Sequence, residues 1–149
     1  MLNIALVSFK SSYDSIWGGY YRDSLPRKND TVVYSKLFEV KALTQTQVDT
    51  LTDLIYNYGY KLKYKPKGKV YFIGSIMNCY NPRNAILFLD KEQKVFEFIE
   101  ICFECDNTRE SSKHVSLGTD CNQKLQLIKN LFRSVGIEFG VIAGPMTEE

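Results

Sequence analysis

Apolar residues recur along this chain with two different periods. Leu2 to Phe9 (LNIALVSF) and Thr31 to Val40 (TVVYSKLFEV) are dense in β-branched and aromatic side chains and read as strands. From Val48 the spacing changes: Val48, Leu51, Leu54, Ile55 and Tyr58 fall three or four apart, which is one face of a helix. Its start is marked twice, by Thr44 and Gln47 at capping-box spacing and by Leu43 placed to pack on Val48, and Gly59 suits a left-handed stop. The spacing therefore predicts a helix over 44–58.

Three further strand-like runs follow, Val70 to Met77, Asn84 to Leu89 and Val95 to Cys105. Tyr80-Asn81-Pro82-Arg83 and Asp90 to Lys94 are short, turn-like connections, so an antiparallel meander is the simplest arrangement. In the last run Val95, Ile99, Ile101 and Phe103 should point one way, and Phe96, Phe98, Glu100, Cys102 and Glu104 the other. His114 to Leu117 reads as a further short strand. A second helix is expected over 120–135: Asp120 and Gln123 repeat the capping box, Leu125, Ile128, Leu131, Phe132 and Val135 form a stripe, and Gly136 ends it. Ile137 to Met146 could add a last short strand.

These elements predict an α+β fold: a mostly antiparallel sheet of about five strands, with two amphipathic helices packed on one face and the other face partly open. No repeat, low-complexity tract or linker divides residues 1–149, so one domain is expected. The longest irregular stretch is Lys10 to Asp30, with Gly18-Gly19 and Pro26. It holds Trp17, Tyr20 and Tyr21, and aromatic residues in a long loop either bind something or fold back on the core.

The 149 residues are 44% hydrophobic and 24% charged, which excludes intrinsic disorder, and a net charge of +2 names no polyanionic partner. Lys61 to Lys69 (KLKYKPKGK) interleaves lysines with Leu62 and Tyr64, but it contains no arginine. Alternate lysines also protect an edge strand from unwanted pairing, so a solvated edge is preferred over a nucleic-acid site. The opening apolar run has no basic leader and is far below the roughly 20 residues that span a bilayer. No membrane span is expected and the cytoplasm is the default compartment, where all four cysteines stay reduced. A trimmed N-terminus would instead allow a periplasmic or lipid-anchored protein with up to two disulfides.

Candidate chemistry centres on Cys79, Cys102, Cys105, His114 and Cys121. Cys102 and Cys105 have the spacing of a zinc half-site. A strand through them, however, sends the two thiols to opposite faces, and no second closely spaced pair completes the set. Buried structural thiols and no cofactor are the expectation. Cys121, at a helix start where thiol pKa values fall, has only His114 as a possible base and no orienting group, so no catalytic residue is assigned. Glu97, Glu100, Glu104 and Asp106 form an acidic streak read as a solvated or partner-facing strip. No phosphate-binding glycine loop, nucleophile elbow or metalloprotease helix occurs.

Cys79 to Phe88 (CYNPRNAILF) followed by Ile101 to Cys105 (ICFEC) resembles a group of small bacterial proteins that share a CYxPRxxIxF segment and a later ICFxC segment. The likeness covers roughly residues 70–135. It implies a bacterial source and a shared fold, with no activity assigned to the group and some members looking like exported lipoproteins. In the motif, Pro82 fixes a turn, Arg83 can pair with Glu100 or Glu104, and Cys79 can approach Cys102 or Cys105, which makes a fold-holding corner. The function expected from all this is a non-enzymatic protein-binding module, in its sharpest form a bacterial immunity protein that neutralises a toxin or effector. Its anchors would be Trp17, Tyr20, Glu97, Glu100 and Glu104. The alternative is a cysteine-dependent metal-binding or enzymatic domain.

Overall fold

The computed structural model describes residues 3–10, 25–29, 31–57, 82–118 and 122–141. Trp17, Tyr20, Gly59, Cys79, Asp120, Cys121, the lysine run 61–69 and the strand expected at 70–77 lie outside these residues.

The described elements, in chain order, are β1 Asn3–Phe9, β2 Arg27–Lys28, β3 Thr31–Val32, a 3-10 turn at Tyr34–Lys36, β4 Leu37–Ala42, α1 Gln45–Asn57, β5 Asn84–Leu89, β6 Val95–Cys102, β7 Asn107–Glu110 and α2 Asn122–Ser134. Five strands form one sheet in the order β4-β1-β5-β6-β7, and every pairing in it is antiparallel. The α+β class is thus as the sequence predicts. β2 and β3 make a separate small ladder.

Alternation along the central strands produces two cores. Ile4, Leu6, Ile86, Ile99 and Ile101 cluster with Val48, Leu51 and Ile55 of α1 and with Leu125, Ile128, Leu131 and Phe132 of α2. These are the helical stripes expected from spacing alone. Ala5, Val7, Phe9, Ala85, Leu87 and Phe98 form the other cluster, together with Leu25 and Val32. None of these residues is more than 7% exposed, so the expectation of a partly open second face is corrected. The physical reason lies in residues 25–32: Leu25 and Val32 bury apolar surface there, and the Arg27 guanidinium lies 4.8 Å from the centre of the Phe98 ring.

A register shift between Phe88 and Leu89 corrects the predicted facing of β6. Phe88 pairs with Glu97 but Leu89 pairs with Val95, which leaves Phe96 as the extra residue of a bulge and moves Val95 to the Leu87 side. Phe96 is 55% exposed. Three further expectations are revised. The run 31–40 is broken by the 3-10 turn, the last strand of the sheet is the polar 107–110 segment, and residues 114–117 form no strand. Residues 137–141 turn instead of extending, with Val141 N–H donating to the Glu138 carbonyl at 3.1 Å.

The helix signals at Thr44, Gln47 and Gly136 perform as read, while the Gly59 stop and the Asp120 cap lie outside the described residues. Thr44 N–H donates to Gln47 Oε1 at 2.9 Å and Gln47 N–H to Thr44 Oγ1 at 3.3 Å, closing the capping box. At the end of α2, Gly136 takes φ +96°, Ile137 N–H reaches the Phe132 carbonyl and Gly136 N–H the Arg133 carbonyl, the paired bonds of a Schellman stop. One polar group joins the two helices. The Lys124 ammonium is 2% exposed and donates to the carbonyls of Leu117, at 2.6 Å, and Ile55, at 3.0 Å, so a cation satisfies the last turn of α1. Gly118, at φ +76°, makes room for this contact, since a Cβ there would run into the Ile55 carbonyl oxygen.

Candidate functional site

Three groupings bear on function, and the first is the cysteine corner. β6 ends at Cys102 and residues 103–106 turn back into β7, so the two cysteines flank a turn and are not carried on by a strand. The sulfurs of Cys102 and Cys105 and a Glu104 carboxylate oxygen all lie within 4.8 Å of one another. This corrects the prediction that alternation would separate the thiols. Cys105 is disulfide-bonded, while Cys102 carries a buried thiol. Only Cys102 therefore meets the expectation of a buried structural thiol. Arg83, its side chain 12% exposed, pairs with Glu104 at 3.1 Å, and Pro82 beside it is buried. His114 stands apart from this group and is exposed.

The acidic strip of β6 is the second grouping, and it divides by burial. Glu100 is fully buried: Arg109 donates to its Oε1 through Nε at 2.8 Å and Nη2 at 2.7 Å, and the Leu25 N–H donates to Oε2 at 2.6 Å. A carboxylate so placed is a fold element, because an ionised group leaves water only when hydrogen bonds and an opposite charge replace it. Glu100 is accordingly withdrawn as a surface anchor. Glu97, its side chain 16% exposed, accepts from Ser111 Oγ and, at 2.8 Å, from Ser112 Oγ, with His114 Nδ1 3.8 Å away. The Ser111 bond, then the Ser112 bond, hold its carboxyl below its ordinary pKa against some desolvation, and His114 adds to the lowering. Glu104 is exposed beyond its Arg83 partner.

The third grouping was not singled out from the sequence. Among the described residues β4 ends the sheet on one side, and Phe38 (55% exposed) and Val40 (44%) on it, with Tyr34 (43%) in the turn before it, leave large apolar groups in solvent. Glu39, between Phe38 and Val40, accepts from Ser8 Oγ at 2.6 Å and from the N–H groups of Glu138 and Phe139 at 3.0 Å each. This ties the 137–141 turn to β4, and Phe139 packs edge-on against Phe38 with ring centres 4.8 Å apart. The signal was present in TVVYSKLFEVK, where Phe38 and Val40 alternate with Glu39 and Lys41. Alternation alone does not reveal which side of a strand lacks a covering layer.

Comparison with protein-family models, curated proteins and solved structures finds no match for this chain.

Proposed function

We propose that this protein is a non-enzymatic protein-binding module of the toxin-neutralising kind, which docks its partner along β4. The observation that carries the reading is the apolar exposure of Phe38 and Val40 on the outermost described strand and of Tyr34 in the turn just before it, with the charged Glu39 and Lys41 alternating with them. Exposed apolar side chains with a polar rim are what an interface core looks like before its partner arrives. Glu97 and Glu104, at the other end of the sheet, are available as secondary polar contacts. No helix among the described residues is long and apolar enough to cross a membrane. The Cys105 disulfide favours an oxidising compartment over the cytoplasm, which fits the exported members of the group that the cysteine motifs resemble.

The test is gentle capture of the chain from its host's lysate, native mass spectrometry of the product, and a toxicity assay of the partner with and without the chain. A stoichiometric protein whose toxicity the chain suppresses supports the reading. A lone chain, or a partner retained in full by a Phe38→Ser/Val40→Ser variant, overturns it.

A second reading, a cysteine-dependent metal-binding domain, is favoured by the convergence of Cys102, Glu104 and Cys105. It requires reduction of the Cys105 disulfide first, since thiolates are the metal ligands. Cobalt added to the reduced protein would give thiolate charge-transfer absorption on this reading, and none if the corner is purely structural.

A further inference from the structure

The ladder between β4 and β1 decides which backbone groups of β4 face outward. Leu43 N–H donates to the Ile4 carbonyl at 2.9 Å, so these two residues form a hydrogen-bonded pair. Such pairs alternate along an antiparallel ladder, and the register then makes Ala5 with Ala42 and Val7 with Val40 the non-hydrogen-bonded pairs. The N–H and C=O groups of Val40 and Ala42 therefore point away from β1, to the edge that β4 leaves open among the described residues. The 137–141 turn bonds β4 through the Glu39 carboxylate and not through these groups. An edge of this kind is a template for another strand. We propose that the strand is β4 of a second copy of this chain, paired antiparallel about a two-fold axis at Val40, so that one sheet runs through both copies.

Charge selects both the occupant and its register. Glu39 and Lys41 lie on one face of β4, opposite Ser8 and Leu6. Among the described residues Glu39 pairs with no cation and the exposed Lys41 with no anion. With Val40 opposite Val40, Glu39 of each copy stands across from Lys41 of the other, and the two-fold axis makes this pair twice. Sliding the strands by two residues keeps the outward groups matched but sets Glu39 opposite Glu39 or Lys41 opposite Lys41, and like charges directly opposite are destabilising. A bulge ends the ladder: Ser8 pairs with Glu39 but Phe9 with Leu37, which leaves Phe38 as the extra residue, and the exposed Phe38 then lies beside the small Ala42 of the second copy. The inference rests on the reading of β4 as a docking edge, not on a toxin being the partner; self-pairing covers the edge until a partner displaces it.

Sedimentation velocity of the full chain over a range of concentrations tests it. The expected result is a reversible monomer–dimer equilibrium. Val40→Pro removes an outward N–H and no bond to β1, so it should leave the chain monomeric at every concentration with its circular dichroism unchanged. Lys41→Glu, at an exposed side chain, sets two carboxylates opposite each other at both pairs and should raise the dimer dissociation constant at least about tenfold, which keeps the test alive if the proline variant misfolds. A wild-type chain that stays monomeric to the highest concentration reached overturns the proposal. So does a dimer that survives denaturation without reductant, or one undiminished in folded Lys41→Glu. A monomeric wild type would leave capture of a toxin partner to be read on its own, and a failed capture would leave the sedimentation equilibrium standing.

Discussion

On the sheet face that carries Ile4, Leu6, Ile86, Ile99 and Ile101, closure comes from apolar side chains repeated along α1 and α2; on the opposite face it depends on a short segment tied down by one buried carboxylate, Glu100. The first arrangement is redundant, because each helix offers several equivalent contacts spread along its stripe. The second is concentrated. Arg109, Glu100 and the Leu25 amide form a chain of charge-assisted bonds, and Leu25 and Val32 bury apolar surface beside it. The difference teaches that apolar closure loses stability in proportion to the atoms removed, whereas polar closure fails locally when a single partner is lost. It also redirects the functional reading, since three of the five large apolar side chains left exposed among the described residues, Tyr34, Phe38 and Val40, lie on or just before β4, while Tyr56 and Phe96 stand singly elsewhere.

The largest expected effect is on the redundant face. Phe132→Ala, at a site fully buried and edge-on to Phe103, should cost about 4 kcal/mol in urea unfolding while leaving the midpoint transition cooperative. Arg109→Ala should cost about 3 kcal/mol, at the low end for a broken buried pair because Arg109 is itself one-third exposed. Its signature is local: the Leu25 amide should lose hydrogen-exchange protection well before the helices do, and uniform loss across the chain would count against the concentrated closure. Thr44→Ala should cost about 1 kcal/mol by removing the α1 cap, read as a shift in urea midpoint.

The smallest effect concerns Glu97. Its folded pKa is lowered, so whatever stability it adds is present above its unfolded-state value and fades as pH falls through the folded value. Ser111→Ala with Ser112→Ala should move the Glu97 titration upward in an NMR pH series, and an unmoved titration would contradict the hydrogen bonds as its cause.

Both helices were legible in the sequence because their information is local. Thr44 with Gln47, the 3.6-residue stripes and Gly136 act within a few residues of where they stand. The buried Lys124 was legible in part: it lies four residues before Ile128 and seven before Leu131, on the stripe itself, but its charge argued for solvent. What decides its burial is the pair of carbonyls at Ile55 and Leu117, and one of these lies far away along the chain. Glu100 was misplaced for the same reason, since its partners Leu25 and Arg109 come from separate segments. The Phe96 bulge and the turn after Cys102 each depend on pairing with a neighbouring strand, so a simple period of two carried Val95 to the wrong face and parted two sulfurs that the fold brings together. Of the corner expected around Cys79, Pro82 and Arg83, the Arg83 pairing is present, to Glu104, one of the two partners expected, while Cys79 lies outside the described residues.

The account's central functional claim is that binding uses β4 and not a sheet face or the acidic strip. Calorimetric titration of the captured partner tests it most directly, using the wild type, Phe38→Ser/Val40→Ser and Glu97→Gln/Glu104→Gln. The account predicts at least a thirtyfold weaker complex for the β4 variant, about 2 kcal/mol and the threshold of an interface hot spot, with a change of less than about threefold for the acidic variant. Undiminished affinity of a folded β4 variant, with binding lost in the acidic one, would contradict it.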